Sequence, residues 1–260
     1  MPAADWIVPL WPDAPPKVGA LATTRRGGAS LAPYDDGQGG GGLNLGLHVG
    51  DASEAVARNR ALLQQAVPGR PAWISQLHGV AVVDAASVQA GQPVQVADGS
   101  IARAPGVVCA VLTADCLPVL FADLQGTVVG AAHAGWRGLA AGVLGSTVAA
   151  MRAAGAGEIT AWLGPAIGAQ QFEVGADVLD SFMAGAGDDA DQVRAAFADF
   201  PGRAGKYLAD MGALARCMLA RDGVLRVAGG QHCTATERER FYSYRRDGVT
   251  GRQATLVWLK

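Results

Sequence analysis

The chain has 260 residues, of which 50% are hydrophobic and 17% are charged, and its formal net charge at pH 7 is -2. This length fits one large domain or two small ones, and the apolar fraction is enough to fill a sizeable core. A net charge near zero without a basic stripe argues against nucleic acid as a partner.

The N-terminal segment MPAADWIVPLWPDAPP lacks the basic and apolar parts of a signal peptide, and no uncharged stretch is long enough to span a bilayer. We therefore expect a cytoplasmic protein with no membrane partner. The cysteines form no CxxC pair, so we interpret them as reduced thiols rather than as a disulfide framework. They are Cys109, Cys116, Cys217 and Cys233.

In chain order, the first predicted strand covers residues 18–24, and a basic loop follows it. The glycine-rich segment at about 35–43 is expected to be flexible, because glycine loses the most backbone entropy on ordering. This segment is interpreted either as a plain surface loop or as a lid over a substrate that carries Arg25 and Asn44.

A helix is predicted to begin at Asp51 or Ser53, either of which can cap it, and to end near Ala66. His78 follows, just before a short strand predicted over 80–83. A single histidine at the edge of a strand is more often a hydrogen-bonded structural residue than a ligand. Its role therefore depends on what lies near it in the fold.

Three apolar segments of strand length occupy the middle of the chain, at 107–113, 117–122 and 127–132. Asp123 and Gly126 take the first and fourth positions of a predicted type I turn. The second and third segments are therefore expected to form a hairpin.

The register of this hairpin brings two reactive side chains together. A turn centred between Leu124 and Gln125 would place Cys116 opposite His133, with their Cβ atoms roughly 5 Å apart. A thiol and an imidazole at that distance can share a metal ion or a proton.

Arg137 precedes an alanine-rich segment, 139–154, that is predicted to be helical. Free backbone N–H groups and the guanidinium would form an anion site there, suited to phosphate or carboxylate. The alternative is a surface arginine stacked on Trp136.

The C-terminal half predicts a strand over 159–163, a helix from Asp177, a helix over 206–221 and a last strand over 253–259. The sequence contains no GxxxxGK[ST], GxSxG or HExxH motif, and no GxGxxG follows a predicted strand. Binding of ATP or of a dinucleotide is therefore not indicated.

Several ordered motifs carry a family resemblance: TTRRGG with NLGLHVGD, TADCLPVLFAD, AAHAGWRG, LGPAIG with FEVG, and FYSYRRDGVTGRQATLVWL. With them the chain resembles the YfiH-like family, also called the laccase-domain or polyphenol oxidase family, over nearly its whole length. The resemblance implies an α+β (mixed α/β) fold, a sandwich of mixed β-sheets flanked by helices, as a single domain over residues 1–260. It also implies a zinc ion held by His78, Cys116 and His133.

Two imidazoles and a thiolate fill three tetrahedral positions of zinc and leave the fourth for water, as in catalytic sites. Copper could replace zinc on the same ligands, since such sites generally bind copper more tightly. A multicopper laccase centre needs more than the 4 histidines of this chain. Relatives commonly carry a cysteine after GPAIG, where this chain has Gln170 and Gln171.

The resemblance also implies activities. Relatives are associated with phosphorolysis of purine nucleosides such as adenosine, inosine and methylthioadenosine, and with adenosine deamination. We therefore expect a zinc-dependent purine nucleoside enzyme that takes a small-molecule nucleoside and phosphate. In deamination, zinc-bound hydroxide would attack the purine C6, and Asp115 would carry the proton. In phosphorolysis, Arg25 and Arg137 would hold the phosphate.

Three alternatives stay open. The first is a metal-free hydrolase or amidase that edits peptidoglycan precursors, with Cys116 as nucleophile and His133 as base. The second is a laccase-like polyphenol oxidase with a single copper ion. The third is a binding module with a structural zinc site, which normally has four protein ligands rather than three.

Overall fold

The computed structural model of the chain describes residues 5–260. Its strands, in chain order, are β1 (Val18–Ala22), β2 (Arg26–Ser30), β3 (Pro71–Ala72), β4 (Val82–Asp84), β5 (Gly99–Ala102), β6 (Val108–Thr113), β7 (Leu117–Asp123), β8 (Val129–Ala134), β9 (Ile159–Leu163), β10 (Glu173–Gly175), β11 (Phe197–Asp199), β12 (Lys206–Ala209), β13 (Arg226–Gly229) and β14 (Gln253–Leu259). Its α-helices are α1 (Ser53–Gln64), α2 (Trp136–Ala141), α3 (Val143–Ala153), α4 (Ala176–Ala184), α5 (Ala190–Ala195), α6 (Met211–Arg221) and α7 (Tyr244–Asp247).

Two sheets pack face to face. One has four strands in the order β1-β14-β6-β3, and the other has six in the order β13-β9-β7-β8-β5-β4. Both are mixed, since β3 runs parallel to β6 and β4 runs parallel to β5 among otherwise mainly antiparallel neighbours. Apolar side chains of β6 and β14 share one core with those of β7, β8 and β9. The predicted mixed α/β sandwich is confirmed.

Helices cover the outer faces of both sheets. The far side of the six-stranded sheet packs against α2, α3, α4 and α6, which share a second core with it. The far side of the four-stranded sheet packs against α1 through Leu63. Strands β6, β7 and β8 are therefore covered on both faces, which explains why they read as unbroken apolar runs instead of alternating patterns.

The predicted strands over 18–24, 107–113, 117–122, 159–163 and 253–259 are confirmed to within two residues at each end. The helix predicted between Asp51 or Ser53 and Ala66 is confirmed as α1. Neither residue caps it, because Ala52 is the N-cap residue and makes no side-chain cap. The Asp51 carboxylate instead accepts hydrogen bonds from the Ser30 hydroxyl and the Asn44 amide.

Two helix predictions need correction. The helix predicted over 139–154 is two helices, because Gly142 between α2 and α3 adopts a left-handed backbone with φ 97°. The helix predicted over 206–221 begins only at Met211. Residues 206–209 instead form β12 between β10 and β11, and the Asp210 carboxylate then caps α6 by accepting the N–H of Ala213.

The β7–β8 hairpin has the predicted turn but a different register. The N–H of Gly126 donates to the carbonyl of Asp123, as the turn requires, but the closing pair joins Asp123 to Val128. His133 therefore lies opposite Pro118, and the prediction that it faces Cys116 is wrong by two residues. A shift of two residues keeps every side chain on the same face of the sheet.

Among residues 5–260, no helix has the length and apolarity that a bilayer crossing requires.

Candidate metal centre

Three predicted ligands converge in the structure. Single ligand atoms of His78, Cys116 and His133 all lie within 4.8 Å of one another. The Cys116 Sγ is 3.6 Å from the His78 Nε2. The two imidazole rings meet edge to face, with centroids 4.8 Å apart and an interplanar angle of 70°. The structure thus brings together one thiol and two imidazoles from three separate parts of the chain.

Each ligand comes from a different element. Cys116 immediately precedes β7, and His133 lies near the end of β8, one diagonal step away across the hairpin. His78 lies in the loop before β4, and its backbone is in the left-handed region with φ 61°. His133 is only 4% exposed, Cys116 is half-buried and His78 is exposed, so the group opens to solvent on the side of His78.

A buried carboxylate contacts this group from behind. Asp98, just before β5, is 1% exposed, and its Oδ1 lies 2.8 Å from the Nδ1 of His133. Its two oxygens also accept backbone N–H groups from Leu77, His78 and Gly79, at 3.1, 2.9 and 2.7 Å respectively. Asp98 comes close to His133 because β5 pairs with β8.

The electrostatics of the metal-free group favour an ion pair. Burial acts to raise the pKa of the Cys116 thiol, but hydrogen bonds from His133 and His78 outweigh it and lower that pKa to about 6. Burial acts to lower the pKa of His133, but its hydrogen bonds to Asp98 and Cys116 raise that pKa to about 9. Near neutral pH the pair is therefore thiolate and imidazolium.

Gly135 in the AAHAGWRG motif leaves room for the group. A Cβ added there would overlap the His78 ring at Cδ2 and lie 3.3 Å from the Cys116 Sγ. Gly138 permits a second close approach, because a Cβ there would lie 2.9 Å from the carbonyl oxygen of Gly79. The two glycines let α2 pack directly onto the loop that carries His78.

The residues fit a zinc ion. A thiolate and two imidazoles are ligands that zinc prefers, and three protein ligands leave one tetrahedral position open. A histidine whose second ring nitrogen donates to a carboxylate is a recurrent feature of zinc sites, and His133 with Asp98 has this arrangement. Structural zinc sites have four protein ligands, whereas catalytic sites have three. The group found in residues 5–260 has three members and therefore resembles a catalytic site.

The remaining histidines lie outside the group. His232 contacts Glu237 at 3.1 Å and Arg240 at 3.3 Å, and His48 is exposed. Of the four histidines of the chain, two therefore belong to the candidate metal centre found in residues 5–260.

Asp115, predicted to carry a proton, is next to Cys116 but is held by other partners. Its carboxylate oxygens accept the hydroxyl of Thr234 and the backbone N–H of Arg245, each at 2.6 Å. Its backbone has a positive φ of 91°. These contacts attach α7 to the segment that precedes Cys116, and the proton-carrying role stays a prediction.

Arg25, predicted to hold phosphate, is 6% exposed and contacts protein carbonyls. Its guanidinium donates to the carbonyl of Asp35 at 2.8 and 3.1 Å and to that of Arg238 at 3.1 Å. It also stacks over the Tyr242 ring, 4.9 Å from the centroid. These bonds hold the glycine-rich segment against the C-terminal region, and phosphate binding by Arg25 stays a prediction.

Asn44, the other residue assigned to the substrate, is fully buried. Its amide nitrogen donates to Gly46 and Asp51, and its amide oxygen accepts the N–H groups of Gly46 and Arg252. This amide therefore has no hydrogen-bonding capacity left for a ligand, and its assignment to the substrate stays a prediction.

Arg137 is exposed and lies over the Trp136 ring, 4.4 Å from the centroid, as the alternative interpretation expected. Stacking engages the face of a guanidinium and leaves its N–H groups available. Phosphate binding by Arg137 also stays a prediction.

Asp98 and Gly135 were not identified from the sequence. Asp98 precedes Gly99, and this pair of residues is typical of an ordinary turn. Only the pairing of β5 with β8 shows that Asp98 contacts His133, one of the predicted metal ligands. Gly135 belongs to a motif that carries the resemblance, but the reason for a glycine is visible only where His78 lies against it.

Comparisons with known proteins agree on one family. The family model described as multi-copper polyphenol oxidoreductase laccase matches residues 19–260. A purine nucleoside phosphorylase of Pseudomonas aeruginosa is 49% identical over 98% of each chain, and purine nucleoside phosphorylase YfiH of Escherichia coli is 50% identical over 97% of this chain and 98% of the relative.

Solved structures agree as well. The crystal structure of a Neisseria meningitidis protein is 49% identical, covers 98% of this chain and 99% of its own, and has a TM-score of 0.89. YlmD from Geobacillus stearothermophilus is 30% identical, covers 100% of this chain and 98% of its own, and has a TM-score of 0.87. The chain therefore belongs to the YfiH-like, or laccase-domain, family.

Proposed function

We propose that this chain is a zinc-dependent purine nucleoside enzyme that splits nucleosides such as adenosine, inosine and methylthioadenosine with phosphate, and that also deaminates adenosine. The observation that carries the proposal is the convergence of His78, Cys116 and His133 within 4.8 Å. The choice of substrate is supported by relatives that are named purine nucleoside phosphorylase and that match this chain over nearly its whole length.

His78, Cys116 and His133 would hold the zinc ion. When bound, zinc would supply a Lewis acid that polarises an oxygen in its open position. His133 is oriented for this task, because its Nδ1 is engaged by Asp98 and only its Nε2 is left for a ligand. The exposed side of His78 is the side from which a nucleoside would approach.

Phosphorolysis also needs a cation for phosphate. Of the two arginines predicted for this role, Arg137 is the stronger candidate, because it is exposed and only two residues beyond Gly135. Arg25 is the weaker one, because its guanidinium already donates three hydrogen bonds to main-chain carbonyls.

Metal content and product analysis test the proposal. Protein purified without chelator or metal-affinity resin should contain about one zinc per chain. It should form adenine from adenosine only when phosphate is present, and inosine without phosphate. His78→Ala and Cys116→Ala should lose the zinc and both activities, whereas Cys217→Ala, a matched cysteine variant in α6, should retain them. Full activity in Cys116→Ala would contradict the proposal.

A second candidate function is a metal-free thiol hydrolase or amidase that edits peptidoglycan precursors. The observation that favours it is the position of Cys116 beside His133, with ligand atoms within 4.8 Å of each other. Hydrogen bonds from the two histidines lower the pKa of the Cys116 thiol despite its burial, which favours a thiolate nucleophile. If this is the function, iodoacetamide should abolish the activity, and added zinc should inhibit instead of activate.

A laccase-like oxidation of phenols with one copper ion is the remaining alternative, and the family description favours it. Loading the metal-free protein with either copper or zinc separates the two cases. Phenol oxidation by the copper form, without nucleoside activity in the zinc form, would favour the oxidase.

A further inference from the structure

We propose that Asp98 is a positioning residue that presets both histidine ligands of the metal centre before metal binds. This inference rests on the metal centre of the proposed function, although not on the reaction catalysed there. A single carboxylate contacts the ring of one histidine and the backbone of the other, and these contacts have different effects.

The first effect is on His133. Its Nδ1 lies 2.8 Å from the Asp98 Oδ1, and its backbone N–H donates to the Asp98 carbonyl at 2.7 Å. A carboxylate only accepts hydrogen bonds, so it keeps a proton on Nδ1. When the imidazolium gives up one proton to bind metal, Nε2 is therefore the nitrogen that offers the lone pair. The backbone contact prevents the strand from sliding relative to Asp98. Both the tautomer and the position of the His133 ring are therefore set by one residue.

The second effect is on His78. Three successive backbone N–H groups, those of Leu77, His78 and Gly79, point at the Asp98 carboxylate. Successive backbone N–H groups can converge on an anion where a left-handed residue follows a right-handed one or where the chain turns, and His78 has a left-handed backbone with φ 61°. A non-glycine residue rarely adopts this conformation without local support. The carboxylate is that support, and it directs the His78 side chain toward Cys116.

The hydrogen bonds divide evenly between the two oxygens of Asp98. Oδ1 faces the N–H of His78 and the Nδ1 of His133, whereas Oδ2 faces the N–H groups of Leu77 and Gly79. An asparagine offers one acceptor oxygen and one donor NH₂ group. In either orientation, Asp98→Asn leaves one pair of donors facing another donor. The variant nearly keeps the volume of the side chain but loses half of the support.

A measurement of zinc affinity shows whether Asp98 positions the two histidines or only stabilises the fold. Chelator-treated Asp98→Asn is titrated with zinc in competition with a chromophoric chelator, and with Co²⁺ to record the absorption of a tetrahedral thiolate site. Loss of a carboxylate behind a ligating histidine weakens metal binding by about 10- to 100-fold, and we expect a loss of that size here. The Co²⁺ spectrum should weaken or shift.

Asp123→Asn is the matched control. Asp123 is also 1% exposed, lies at the opposite end of β7 from Cys116, and accepts hydrogen bonds from Thr127 and Val128. It should lose stability without losing zinc affinity. Equal zinc affinity in Asp98→Asn and the unmodified chain would overturn the inference, as would an equal loss in both variants.

A measurement on the unmodified chain applies even if Asp98→Asn fails to fold. Nitrogen NMR of the zinc-loaded protein should show His133 with its proton on Nδ1 and the metal on Nε2. The reverse tautomer would overturn the inference. Absence of zinc binding by the unmodified chain would overturn the proposed function and this inference with it, whereas normal binding by both variants would overturn this inference alone.

Discussion

The pH dependence of Cys116 alkylation gives the sharpest test of the site electrostatics. Without metal, the hydrogen bonds from His133 and His78 outweigh burial and lower the thiol pKa to about 6, against about 8.5 for a free cysteine. At pH 7 the ionised fraction is therefore about 90% for Cys116 and about 3% for a free thiol. This fraction sets the rate of alkylation, because only the thiolate reacts.

The expected signature is a flat profile. Between pH 7 and pH 9 the reactive fraction of Cys116 rises only about 1.1-fold, whereas that of a free thiol rises about 25-fold. A thiolate of lower pKa is also intrinsically less nucleophilic, with a Brønsted coefficient of about 0.45, which corresponds to a factor of about 13 over this pKa difference. Cys116 should therefore react faster than a free thiol at pH 6 and more slowly at pH 9.

Mass spectrometry of peptides after timed iodoacetamide treatment measures this rate at each pH. His133→Ala is the control, because removing the imidazole should move the midpoint upward and restore a steep profile. Zinc should suppress labelling of the unmodified chain by occupying the thiolate. A Cys116 rate that rises about tenfold per pH unit between 7 and 8.5 would refute the ion pair and the hydrogen-bond balance behind it.

Three further substitutions test the geometry. Gly135→Ala should weaken zinc binding, because the new Cβ would meet the His78 ring. It should cost little stability, because a backbone φ of -62° suits any residue. Chelator competition measures the zinc affinity, and thermal melting measures the stability. Gly142→Ala should have the opposite effects. It should lower the free energy of unfolding by about 1 kcal/mol, because the backbone φ is 97°, and it should leave zinc binding unchanged. Chemical denaturation measures the change in stability. Asp115→Asn, which tolerates the positive φ, should reduce phosphorolysis and deamination alike if the carboxylate only holds its two partners. Selective loss of deamination would instead support the predicted proton transfer.

In the β7–β8 hairpin, the predicted proximity of Cys116 and His133 is confirmed although the predicted register is wrong. The turn at Asp123 was placed correctly, but the loop continues to Val128, since the Asp123 carboxylate also binds the N–H groups of Thr127 and Val128. The register therefore slips by two residues. Because side chains alternate with a period of two, Cys116 and His133 still lie on one face and still meet.

The residues assigned to substrate show the opposite case. Arg25, Asn44 and Asp115 have polar side chains that suit a nucleoside or phosphate, and each proves to be bonded to other parts of the chain. Their partners lie up to more than 200 positions away in sequence, as with Arg25 and Arg238 or Asn44 and Arg252. Residue type and local pattern contain no information on such contacts.

The strands of the central sheets were predictable from local pattern alone, because dense β-branched runs are typical of strands that are covered on both faces. Through the family resemblance, the sequence motifs also predicted His78, Cys116 and His133 as metal ligands, and the structure brings these three side chains together. The contacts that hold these three side chains in place became visible only in the folded chain. The pairing of β5 with β8 brings Asp98 behind His133, and the left-handed backbone of His78 exists because that carboxylate gathers three N–H groups around it. Both are long-range effects, since they depend on which strands become neighbours after the chain has folded.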